Sequence, residues 1–72
     1  MNKEIILRIT VNQLENASFD CGKRYRINAG YRIPALDSFC QYLWGKFPNE
    51  KEKITENWLK GWEQQHKLEL NL

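Results

Sequence analysis

Residues 4–11 alternate between apolar and polar side chains, and the main apolar positions are Ile5, Leu7, Ile9 and Val11. Successive side chains of a β-strand point to opposite faces, so this pattern predicts a strand with one buried face. The following residues, 12–20, are rich in Asn, Ser and Asp, and this composition predicts a turn or an irregular loop.

A second alternating pattern covers residues 23–33 and predicts a β-hairpin with Asn28-Ala29-Gly30 as its loop. Gly30 is expected to supply the positive φ that such a loop needs. In this register Arg26 faces Arg32 across the two strands. The inner face would carry Tyr25, Ile27, Tyr31 and Ile33, and the outer face would carry Arg24, Arg26 and Arg32.

Two helical patterns follow. The first helix is expected to begin at Pro34 and to end between Gly45 and Asn49. Its apolar stripe consists of Leu36, Phe39, Cys40, Leu43 and Phe47. Asn49 is expected to cap a second helix that runs to about His66. The stripe of that helix is Ile54, Trp58, Gly61, Trp62 and Gln65. The alternating tail, residues 68–72, fits either a short final strand or a frayed end.

These elements predict one small α+β domain that spans residues 1–72. The N-terminal strand and the basic hairpin would form a small antiparallel sheet, and the two C-terminal helices would cover one of its faces. A chain of this length buries only about 60% of its unfolded surface, so the core is marginal. A homodimer that shares an aromatic face would enlarge that core.

The net charge of +2 is unevenly distributed, because the window from Cys21 to Leu36 carries +4 and no acid. Its cations are the candidate nucleic-acid-binding residues, namely Lys23, Arg24, Arg26 and Arg32. Two opposed arginines destabilise a hairpin unless an anion offsets them. That anion could belong to nucleic acid, to an acidic protein surface, or to this chain, through Glu4, Asp20 or Asp37.

Gly61 interrupts the second helix between two tryptophans and would cost about 1 kcal/mol relative to alanine. One interpretation is close packing of the two helices with both indoles in the core. The other is an exposed slot for a partner or for dimerisation. The candidate interface residues for the second interpretation are Trp44, Trp58, Gly61 and Trp62.

The sequence offers little for catalysis. His66 is the only histidine, and no nucleophile and base can be grouped around it. Cys21 and Cys40 are expected to be reduced thiols, although the sequence leaves a disulfide between them open. We therefore expect no catalytic residue, metal site or cofactor. The absence of an export signal or a membrane-spanning segment predicts a cytoplasmic protein.

Two segments resemble known families. Residues 58–62, Trp-Leu-Lys-Gly-Trp, resemble the W-L-x-G-W signature of ribosome modulation factor-type proteins, and that resemblance covers Tyr42 to His66. It implies binding to the ribosome. Residues 22–27 and 31–36 resemble the wing and the following helix of excisionase-type winged-helix proteins. That resemblance implies a wing-like contact with DNA by Arg24, Arg26 and Arg32.

The sequence therefore favours a small non-enzymatic accessory or regulatory protein that binds DNA or RNA through a basic β-hairpin. The alternative is a protein-binding inhibitor or adaptor, of the kind that phages and plasmids encode, that uses the aromatic helix face. A ribosome-associated factor is the third hypothesis.

Overall fold

The computed structural model describes residues 9–71. This part of the chain forms three α-helices, which are α1 (Leu14–Ile27), α2 (Ser38–Lys46) and α3 (Lys51–Leu70). A 3-10 turn lies before each helix, at Val11–Gln13, Pro34–Leu36 and Pro48–Glu50. No strand occurs among the described residues, so the predicted α+β fold with its small antiparallel sheet is wrong, and this part of the chain is all-α.

The first predicted strand, residues 4–11, falls largely outside the described residues. Of its described positions, Ile9 and Thr10 have no regular structure and Val11 begins a 3-10 turn. Thr10 and Gln13 close that turn as a capping box, with the Thr10 N–H donating to Gln13 Oε1 at 3.1 Å.

Helix α1 replaces both the predicted loop of residues 12–20 and the first strand of the predicted hairpin. Its buried positions recur with a helical period, at Leu14, Ala17, Ser18, Cys21 and Gly22. The Ser18 hydroxyl, which favoured a turn in the sequence, donates to the Leu14 carbonyl oxygen one turn earlier, at 2.7 Å. Small residues on this face let α1 lie close to a second helix.

The predicted hairpin loop is instead the C-terminal cap of α1. The Ala29 N–H donates to the Arg26 carbonyl, and the Gly30 N–H donates to the Tyr25 carbonyl at 2.8 Å. This pair of bonds defines a Schellman motif. Ala29, with φ of 63°, adopts the left-handed conformation that was expected of Gly30. Gly30 is required for space, because a β-carbon there would lie 2.8 Å from the Tyr25 carbonyl oxygen.

The two later helices were predicted, but their ends differ. Pro34 begins a 3-10 turn, and α2 starts only after Asp37, whose side chain accepts a hydrogen bond from the Phe39 N–H. Glu50, rather than Asn49, precedes the first residue of α3. Helix α3 continues beyond His66 to residue 70, so of the two alternatives for residues 68–72, a short strand or a frayed end, the strand is wrong.

Helices α1 and α3 form the largest helix–helix contact. Lys53 Nζ lies 3.8 Å from Glu15 Oε1 near the start of both helices, and Arg26 bonds to His66 near the end of both. The two helices therefore run in the same general direction. The contact is close because Gly61 faces the backbone of Phe19. Reciprocally, Gly22 faces the backbone of Trp58.

The core lies between α1 and α3 and is completed by α2. Trp58 is its largest fully buried side chain, and its ring centroid lies 5.6 Å from that of Tyr25. The buried apolar residues are Ile9, Leu14, Ala17, Cys21, Cys40, Leu43, Ile54 and Trp58.

Candidate functional site

Two of the four candidate basic residues bind side chains of α3. Arg26 Nε donates to His66 Nδ1 at 3.1 Å, and one of its terminal nitrogens lies 3.5 Å from Glu69 Oε2. Its guanidinium also lies 5.7 Å from the centre of the Trp62 ring, which stacks on His66. The more exposed Arg32 donates from Nε to Glu63 Oε1 at 3.0 Å.

The structure therefore separates the arginines that the hairpin would have grouped. Arg26 lies in α1 and Arg32 in the loop after it, so the predicted pairing of these residues across two strands is wrong. Carboxylates of this chain offset both charges. Among the described residues they come from α3, as Glu63 and Glu69, and not from Asp20 or Asp37. Glu4, the third acid that the sequence suggested, lies outside the described residues.

The three tryptophans all donate their indole N–H within the described chain. Trp58 donates to Asp37 Oδ2 at 2.8 Å, Trp62 to the Gly30 carbonyl at 3.0 Å, and Trp44 to the Thr55 hydroxyl at 3.0 Å. Trp58 is fully buried, whereas the other two are half-buried. Gly61 lies inside the α1–α3 contact. Trp58 and Gly61 thus face the interior, where they hold the helices together.

A groove of about 670 Å³ lies between the C-terminal half of α1 and the segment that leads into α2. We call it the α1–α2 groove. Three of its apolar side chains are exposed, namely Ile27 (53%), Leu36 (55%) and Phe39 (36%). Tyr25 completes its apolar lining. The other two candidate basic residues, Lys23 and Arg24, line the same groove, together with Asp20.

The charged side chains that line this groove differ in whether they already have a hydrogen-bond or ion-pair partner. Asp37 is 4% exposed, and its two oxygens accept hydrogen bonds from the Phe39 N–H and the Trp58 indole. Lys23 and Arg24 form no ion pair within 4.0 Å among residues 9–71. The accessible lining therefore combines exposed apolar side chains with two cations and one anion, Asp20.

Sequence reasoning placed all three exposed apolar residues inside the protein. Leu36 and Phe39 belonged to the predicted stripe of a helix, and Ile27 to the inner face of the hairpin. Once α1 is recognised as a helix, Ile27 lies four residues after Lys23 and three after Arg24, so each cation is a neighbour of Ile27 on the helix surface. That spacing is the signal that could have identified the groove.

Both cysteines are free, buried thiols, and Cys21 contributes to the groove lining. Burial, followed by the negative charge of Asp37, raises the pKa of both thiols from 9.0 to about 12. A thiol with so high a pKa is a poor nucleophile at neutral pH. Neither cysteine therefore has the features of a catalytic residue.

We expect these thiols to react with a disulfide reagent at pH 8 only after unfolding. A pKa near 12 instead of 9 lowers the thiolate fraction roughly a thousandfold. The labelling rate, followed by the colour of the released thiol, should therefore rise with urea in parallel with the unfolded fraction. Native labelling as fast as that of the urea-unfolded chain would contradict this account.

No group of three or more metal-ligating side chains that could hold an ion occurs in the described part of the chain. None of the helices between residues 9 and 71 is long and apolar enough to cross a membrane. The fold is a small three-helix arrangement whose candidate site is an apolar groove with a basic edge. Comparisons of the chain with protein-family models, curated proteins and solved structures found no match.

Proposed function

We propose that this protein is a small non-enzymatic binding module that docks a segment of a partner protein in the α1–α2 groove. The observation that carries the proposal is the grouping of Ile27, Leu36 and Phe39, which are exposed on one concave surface. A concave surface lined by apolar side chains, with a few polar groups placed around it, is the usual form of a binding site. Burial of these side chains by a partner would stabilise the complex by roughly 25 cal/mol for each Å² of apolar surface removed from water.

A protein partner fits this surface better than nucleic acid does. The nucleic-acid hypothesis depended on a face with three arginines, and two of them are paired with glutamates of α3. Among residues 9–71, Lys23 and Arg24 are the cations that remain for phosphate contacts at the groove, next to apolar side chains and Asp20. Nucleic-acid sites rely on phosphate contacts from many cations, whereas the cores of protein interfaces are depleted in charge.

The adaptor hypothesis placed the partner on the aromatic helix face, whereas we place it in the α1–α2 groove. On the aromatic face of α3, Trp58 is buried and Trp62 is half-buried, and both indole N–H groups are bonded within the chain. The indole N–H of Trp44 on α2 is bonded to Thr55. The groove lies beside the Asp37–Trp58 contact. Both carboxylate oxygens of Asp37 are already hydrogen-bonded there, so this part of the groove needs less ordering when a partner binds.

We expect a photo-crosslinking amino acid at position 36 to capture one protein partner when the variant is produced in the cells in which this protein naturally occurs. Leu36 is 55% exposed, so its replacement leaves the core intact. Leu70, which is 69% exposed near the end of α3 and outside the groove, provides the matched control position. Mass spectrometry of the cross-linked band identifies the partner. Equal cross-linking from both positions, or cross-links to nucleic acid alone, would count against the proposal.

A further inference from the structure

We infer that the occupant of the α1–α2 groove is an acidic amphipathic segment of a partner protein. This inference rests on the proposed docking function and adds the chemistry of the partner. The segment would place apolar side chains against Ile27, Leu36 and Phe39 and carboxylates against Lys23 and Arg24. The positions of the exposed apolar side chains indicate an apolar stripe on the partner, and the groove cations indicate its carboxylates.

The apolar stripe of the occupant follows from where the exposed side chains lie. Ile27 is the last residue of α1, Leu36 ends the 3-10 turn, and Phe39 is in the first turn of α2. They approach the groove from both of its walls, so a single narrow apolar stripe on a partner can contact all three. An amphipathic helix offers such a stripe, with anchors at i, i+3 or i+4, and i+7.

The acidic character of the occupant follows from the cations that have no ion-pair partner among the described residues. Arg26 and Arg32 each have a glutamate partner, whereas Lys23 and Arg24 have none among residues 9–71. Asp37 carries a negative charge but is buried and already accepts two hydrogen bonds. Among residues 9–71, the groove charges that a docked segment can contact are then two cations and one anion, Asp20, whereas the buried charge of Asp37 acts on the segment only at longer range. Complementary charge favours a partner with carboxylates at this edge and disfavours a basic one.

Removing the charge of Asp20 should tighten binding of an acidic segment, whereas removing the charges of Lys23 and Arg24 should weaken it. It lies on α1 one turn before Lys23 and Arg24, in the same groove lining. A carboxylate there repels an acidic occupant. Asp20→Asn should therefore tighten binding, by about twofold, the size expected for an exposed charge pair.

The experiment measures binding of designed peptides by fluorescence anisotropy. The first probe is a peptide of about fourteen residues with leucines at helical spacing and glutamates on both flanks. The second replaces each glutamate with glutamine, the third replaces each with lysine, and the fourth scrambles the acidic peptide so that its apolar stripe is lost. We expect the acidic peptide to bind most tightly and the scrambled peptide to bind at least tenfold more weakly.

Two pairs of variants locate the binding. Lys23→Glu with Arg24→Glu should weaken the acidic peptide about tenfold and reduce its dependence on salt. Lys60→Glu with Lys67→Glu makes the same change in net charge at exposed positions of α3 outside the groove, and it should leave the affinity within about twofold. Leu36→Ser should weaken all binding peptides, whereas Leu70→Ser should not. Circular dichroism verifies that every variant remains helical.

The outcomes separate the inference from the proposed function. If the glutamine or lysine peptide binds as tightly as the acidic one and still depends on Leu36, the groove is a docking site but its acidic occupant is wrong. If no peptide binds while position 36 still cross-links one protein, the inference fails and the proposed function stands. If Leu36→Ser weakens self-association measured by light scattering, the occupant is a second copy. If an oligonucleotide displaces the acidic peptide through Lys23 and Arg24, both proposals fail.

Discussion

Replacing Gly61 with alanine is expected to destabilise the protein by roughly 3 kcal/mol, because the added methyl group would overlap the backbone of α1. A β-carbon at this position would lie 2.8 Å from the carbonyl carbon of Phe19 and still closer to its oxygen. A backbone carbonyl cannot turn aside as a side chain can, so the helices must separate. Urea unfolding followed by circular dichroism measures the loss.

Two further glycines provide a second close-contact position and a control for this measurement. Gly22→Ala should have an effect of similar size, because its β-carbon would lie 2.8 Å from the Trp58 carbonyl carbon. Gly45→Ala is the matched control, since a β-carbon there meets no atom within 4 Å. Alanine has the higher helix propensity, so the control should be neutral or stabilising by up to about 1 kcal/mol. Three variants that behave alike would refute close α1–α3 packing through these glycines.

Asp37→Ala is expected to lower the free energy of unfolding by roughly 3 kcal/mol through the loss of two hydrogen bonds. The N-cap bond from the Phe39 N–H, at 3.0 Å, contributes about 1 kcal/mol. The Trp58 indole N–H would be left buried without its acceptor, which costs about 1–3 kcal/mol more. Both the start of α2 and the centre of the core depend on this one carboxylate.

A double-mutant cycle separates these two contributions. Trp58→Phe removes the indole N–H, so Asp37→Ala in that background should cost only about 1 kcal/mol, the value of the cap. Asp20→Ala removes an exposed aspartate and should change stability by less than about 0.5 kcal/mol. If the loss from Asp37→Ala is as large in the Trp58→Phe background as in the native chain, the indole bond does not stabilise the fold.

Helices α2 and α3 could be predicted because their apolar residues are large and regularly spaced. Leu43, Ile54 and Trp58 lie on predicted stripes, and all three are fully buried. Helix α1 could not be predicted in this way, because its buried face consists mostly of small or weakly polar residues. Ser18 and Gly22 are typical of turns, yet here they make room for α3.

The hairpin prediction failed for a related reason. Tyr25 and Ile27 alternate with arginines, which is typical of a strand. In the folded chain Tyr25 contacts Trp58, and Arg26 contacts the end of α3. These partners are more than thirty residues away along the chain, and a local pattern contains no information about them. Tertiary packing therefore overrode local propensity at this segment.

The candidate site was predicted only in part. Lys23 and Arg24 were predicted to bind nucleic acid, and they line the groove that we propose as a protein docking site. Arg26 and Arg32 were identified with them because a flat hairpin would have put all of these side chains on adjoining strands. A helix turns successive residues by about 100°, so Arg24 and Arg26 point in different directions. The sequence showed that the four cations are close together along the chain. It did not show that Lys23 and Arg24 line the groove while Arg26 and Arg32 pair with α3.

The parallel contact of α1 with α3 has a consequence for synthesis of the chain. The residues of α3 that cover the small-residue face of α1, Trp58 and Gly61, emerge from the ribosome about forty positions after α1. Until then neither Gly22 nor Phe19 has its partner backbone. A nascent chain must therefore leave α1 incompletely packed until Gly61 has emerged, and a product truncated before residue 61 would be a substrate for cellular proteases.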